Sequence, residues 1–125
     1  MQVTRIVLIY NADWSLRGAL QYAVETLKGQ KECALCDITH RGLTEKSEWK
    51  SCALSIPVPI EAIYRNQLDA ASKEAAAGQF PCVLADTPAG MIKVLDRAAL
   101  VACESSPEAM RDALDAALRE KSLTL

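Results

Sequence analysis

The stretch VLIYNADWSLRG, residues 7–18, joins a run of consecutive apolar residues to a polar, helix-opening sequence. From Val3 to Tyr10 the chain is, apart from Thr4 and Arg5, apolar and rich in β-branched side chains, which predicts a strand covered on both faces, as at the centre of an α/β sheet. Leu16, Ala19, Leu20, Ala23, Val24 and Leu27 then recur at helical spacing, with Asp13 or Ser15 able to cap the start and Gly29 able to close the end. At such a strand-to-helix junction, unpaired backbone N–H groups face outward and can serve chemistry.

Further along, Ala34 to Thr39 reads as a short strand. Thr44 to Leu54 reads as a short helix capped by Thr44, with Trp49, Cys52 and Ala53 along one side. The alternation Ile56, Val58, Ile60, Ala62, Tyr64 has period two and predicts a strand, with Pro57 and Pro59 excluding its first half from a ladder. Gln67 to Ala77 is alanine-rich and helix-favouring, and Gly78 ends it. Cys82 to Ala85 and Met91 to Leu95 form an expected antiparallel hairpin around a five-residue turn containing Pro88 and Gly90. Ser106 as cap, Pro107 in the first turn and Glu108 near the positive end open a last helix. Its buried stripe is Ala109, Met110, Ala113, Leu114, Ala117 and Leu118.

A chain of 125 residues, 50% hydrophobic and 24% charged, suits one domain with its own core. Its net charge of −2, with dispersed basic residues, argues against nucleic-acid binding. No apolar run approaches membrane-spanning length, and the N-terminus lacks signal-peptide design, so no membrane partner is expected. Five cysteines without an export signal point to reduced thiols in the cytoplasm. No cofactor is indicated.

The order strand, helix, extra segment, strand, helix, hairpin, helix resembles the thioredoxin fold, a mixed sheet with helices on both faces. VLIYNADWSLRG is similar to the thioredoxin stretch in which a strand enters an Ala-acid-Trp-Cys-x-x-Cys turn. GQFPCVLAD, residues 78–86, is similar to the segment whose proline opens a strand. The resemblance implies a single domain over 1–125 with an insertion at about 31–56. It also implies a cis peptide bond before Pro81, lying against the active-site turn, and a binding groove formed by Trp14, Ser15 and Pro81. Ser15 and Gly18 replace the attacking and resolving cysteines, which removes ordinary thioredoxin chemistry from that turn. Ser15 reads there as a helix cap rather than as an activated nucleophile. The only histidine, His40, has no spacing that places it beside Ser15. The chain also resembles a small group of bacterial thioredoxin-like proteins, through Tyr10 to Asp13 and through Cys33, Leu35, Cys36, Thr39 and His40. That group implies a fold rather than an activity.

CALCDITH, residues 33–40, exceeds what a fold requires. Two cysteines three positions apart diverge on a regular strand, so a redox pair requires Cys33 to lie in a turn before the strand begins. In that reading Cys33, the more exposed because its neighbours are polar, attacks a disulfide or is oxidised. Cys36 resolves it, and the partner is a thiol or a protein. A zinc reading adds His40 and Cys52 to the pair, although this is not a strong finger spacing. Plain packing of all five thiols as small hydrophobes is the simplest account. Cys82, next to Pro81, reads as core. A displaced redox pair and a non-catalytic binding module, the latter with or without zinc, therefore stand side by side.

Overall fold

A computed structural model describes residues 1–11, 33–41 and 44–125. The expected helix over Leu16 to Leu27, and with it Asp13, Trp14 and Ser15, lies outside the described residues. Strand β1, Arg5–Tyr10, is buried at every position after Arg5, as its unbroken apolar run predicts. It pairs in parallel with β4, Ile60–Tyr64, and antiparallel with β5, Cys82–Thr87. Strand β6, Gly90–Leu95, completes the sheet in the order β4-β1-β5-β6. The class is α/β with a mixed sheet.

Alternate residues of β1 serve the two faces of this sheet. Val7 and Ile9, with Cys82 and Leu84 of β5, pack on one side against α3, Ala70–Ala76. Ile6, Leu8 and Tyr10, with Val83 and Ala85, pack on the other against four helices. These are α1, Ala34–Thr39; α2, Ser47–Leu54; α4, Arg97–Ala102; and α5, Pro107–Glu120. A two-stranded ribbon, β2 (His40–Arg41) and β3 (Thr44–Glu45), links α1 to α2.

The last helix matches its sequence signals: Ser106 accepts from the Ala109 N–H at 3.1 Å, and Met110, Leu114 and Leu118 are buried. Pro57 and Pro59 do precede the strand, with the Pro59 carbonyl accepting from the Ile6 N–H at 2.9 Å. Helix α3 spans less than Gln67 to Ala77 and ends with Ala77 at φ 54° and Gly78 at φ 72°.

Three expectations change, and one helix is added. Ala34 to Thr39 is a helix, not a strand. Its β-branched end favours a strand locally, yet Leu35 and Ile38 are both fully buried and Cys33 closes the first turn. Tertiary packing here overrides propensity. Second, Thr44 does not cap α2. It pairs with Arg41 in the ribbon, and Lys46 occupies the cap position without a side-chain hydrogen bond. Third, the hairpin turn is tighter than five residues: Thr87 and Gly90 are paired, leaving Pro88 and Ala89 between them. The Thr87 hydroxyl donates to the Gly90 carbonyl and accepts from the Ala89 N–H, and Gly90 takes φ 113°. Finally, α4 went unread in the sequence, although Asp96 caps it through the Ala99 N–H at 2.8 Å.

Candidate functional site

Cys33 occupies the N-cap of α1 and Cys36 its first turn. One helical turn brings the two side chains to the same side, so the sulfurs meet at disulfide distance with Cα atoms 5.3 Å apart. The divergence expected of a strand is removed by the change of element. The Cys36 N–H also donates to the Cys33 sulfur at 3.2 Å, and the Asp37 N–H to the Cys33 carbonyl at 3.2 Å. The ranking of exposure reverses the sequence expectation. Cys33 is 2% exposed and Cys36 7%, because the polar neighbours that suggested an open Cys33 do not keep its side chain out of the core.

The other end of α1 carries a polar cluster. Thr39 Oγ1 lies 3.2 Å from the Leu35 carbonyl, 3.0 Å from the Tyr10 hydroxyl and 2.7 Å from His40 Nδ1. A carbonyl only accepts, so the single Thr39 proton goes to Leu35 when all three contacts are satisfied. Tyr10 then donates its O–H to Thr39, and His40 donates from Nδ1. This places the imidazole proton on Nδ1 and the lone pair on Nε2. Rings of Tyr10 and His40 meet edge-on at 5.9 Å, and Tyr64 lies 5.5 Å from Tyr10 on the neighbouring strand. Burial pushes the Tyr10 phenol up to about 12, against a smaller opposing effect of the Thr39 hydrogen bond. Burial also lowers His40, opposed by the Glu45 carboxylate across the ribbon.

The remaining thiols are quiet. Cys82 is fully buried and its thiol is pushed up to about 11 by burial. Burial likewise raises Cys103 and Cys52; at Cys52 the Arg111 guanidinium is the leading opposing influence. Such thiols hold their protons at neutral pH. The Cys52 sulfur sits 3.8 Å from the Pro107 carbonyl. Among the described residues no three His, Cys, Asp or Glu side chains gather as metal ligands, so Cys33, Cys36, His40 and Cys52 are not assembled into a zinc set.

Of the groove residues, Pro81 is buried at the entry to β5, and the Phe80–Pro81 peptide bond is cis, as the sequence comparison anticipated. Trp14 and Ser15 lie outside the described residues, so the groove itself is undescribed. Sequence reasoning missed a cleft at this end of the sheet, where Arg65, Gln79, Phe80 and Arg97 converge from three segments. No local pattern marks residues so distant in the chain. Among the described residues, no helix is long and apolar enough to cross a membrane. Comparison with protein families, curated proteins and solved structures found no match to the chain.

Proposed function

We propose that this chain is a thioredoxin-like domain whose Cys33–Cys36 pair cycles between dithiol and disulfide, as a redox-sensing or thiol–disulfide exchange couple. The carrying observation is the meeting of the two sulfurs at the start of α1. The strand order β4-β1-β5-β6, with β5 antiparallel to β1, supports the fold part of the reading. On it, the segment at about 31–56 is an insertion that carries the redox pair.

The step balances as an exchange. Two thiols and one external disulfide give the internal Cys33–Cys36 disulfide and two external thiols, with two electrons and two protons passing outward. The Cys36 N–H points at the Cys33 sulfur, and on this reading Cys33 is the attacking thiol and Cys36 the resolving one. Burial of both sulfurs suits exchange with a small disulfide better than docking of a large protein partner.

Mass spectrometry tests this directly. The reduced protein is treated with a small-molecule disulfide, unfolded, alkylated and digested. The expected result is a loss of two protons linking Cys33 to Cys36, with Cys52, Cys82 and Cys103 alkylated as free thiols. Alkylation of both Cys33 and Cys36 after oxidation would reject the proposal.

A further inference from the structure

The cysteine pair and the only histidine of the chain sit at opposite ends of one short helix, α1. We infer that this helix couples them: reduction of the Cys33–Cys36 disulfide loosens the Thr39–Tyr10–His40 cluster and makes His40 easier to protonate. The inference rests on the pair cycling as proposed above, and it gives that couple a proton-linked regulation.

Two routes join the ends, each one helical turn long. The His40 N–H donates to the Cys36 carbonyl. The Thr39 hydroxyl donates to the Leu35 carbonyl at 3.2 Å and accepts from His40 Nδ1 at 2.7 Å. Thr39 is fully buried, so its hydroxyl depends on these protein partners. A helix of six residues has too few internal hydrogen bonds to hold its shape alone, and the disulfide adds a covalent tie between its cap and its first turn. An external dithiol removes that tie. It gives up two electrons and two protons, closes to a cyclic disulfide and leaves two protein thiols. Two thiols cannot share the space of bonded sulfurs. Both sulfurs are buried among core side chains, so their separation displaces the first turn of α1.

His40 stands where such a displacement changes its charge. Its half-buried ring meets Tyr10 of β1 edge-on at 5.9 Å, with Tyr64 of β4 a further 5.5 Å from Tyr10. Glu45 of β3 lies across the ribbon, and Lys46 Nζ donates to the Ser105 carbonyl at 2.8 Å. Burial opposes the imidazolium more strongly than Glu45 favours it. Loosening the cluster admits water and weakens the larger of these influences, so the dithiol form takes up its proton at higher pH.

A single histidine gives unambiguous imidazole resonances, so NMR provides the test. Spectra are recorded from pH 8 to 5 for the disulfide form and for the dithiol form in dithiothreitol, each verified by mass. The dithiol form should titrate higher by about half a unit or more, a roughly threefold gain in proton affinity. Cys33→Ser, which cannot form the bond, should show the dithiol midpoint with or without dithiothreitol. By reciprocity, in a fixed mixture of reduced and oxidised dithiothreitol the dithiol-to-disulfide ratio of the protein should rise by the same factor as His40 protonates, and His40→Gln should abolish that rise. Coincident midpoints in the two verified forms, or a lower midpoint in the dithiol, would overturn the inference while leaving the redox couple standing. Failure of the disulfide to form on oxidation would remove the couple and the inference with it.

Discussion

Tyr10 and His40 share one acceptor, the Thr39 hydroxyl, yet they respond to opposite ends of the pH scale. A buried phenol with a pKa raised to about 12 stays protonated after the unfolded chain begins to ionise near 10. Its contribution to stability is intact below pH 10 and is lost as pH rises toward 12. The full loss is roughly 2–3 kcal/mol, at 1.36 kcal/mol per pKa unit. Urea titrations of the native protein and Tyr10→Phe from pH 9 to 12 should therefore converge as pH rises; parallel profiles would refute the assignment. His40 works at the acid end. Its lowered folded pKa means that the unfolded chain takes up a proton first as pH falls through 6.5, so stability declines from there through the folded value. His40→Gln should flatten that acid limb, as followed by thermal unfolding between pH 7 and 5.

At the scale of elements, caps and burial compete with local propensity. Helix α5 has every local signal in its favour: a serine cap, proline in the first turn, an early glutamate and three buried residues at helical spacing. Ser106→Ala should cost about 1 kcal/mol in urea unfolding, and Ser106→Asp should restore most of it, because the carboxylate also accepts from Ala109. No change on Ser106→Ala would show that tertiary packing alone sets the start of the helix. Helix α1 has the reverse character. Six residues cannot sustain a helix alone, and its formation rests on buried Leu35 and Ile38, on Cys33 at its cap and on Thr39 at its end. Those contacts are invisible in CALCDITH, whose local pattern alone predicts a strand.

Across the whole molecule, the sheet separates two apolar clusters. Ile9 belongs to the one beneath α3, and Ile38 to the larger one beneath α1, α2, α4 and α5. Ile9→Val and Ile38→Val should each cost about 0.5–1.5 kcal/mol, and the double variant should equal their sum within about 0.5 kcal/mol. A larger deviation in denaturant titrations would mean that the two faces are not independent. The chain ends are tied together as well. Gln2 and Thr124 form a parallel bridge, and the Met1 ammonium donates to the Ser122 carbonyl at 3.0 Å.

Sequence alone determined the elements whose signals are local. The continuous apolar run became β1, the prolines delayed β4, the paired apolar segments became the β5–β6 hairpin, and Ser106-Pro107 opened α5. In each, neighbouring residues carry both the pattern and its punctuation, so periodicity is enough. Tertiary structure alone decided the rest. It turned Ala34–Thr39 into a helix, brought the Cys33 and Cys36 sulfurs together and buried both. It also joined Thr39 to Tyr10 across 29 residues and gathered Arg65, Gln79 and Arg97 around one cleft. Those outcomes depend on burial and on partners far apart in the chain, whose free energy outweighs the small preferences of single residues.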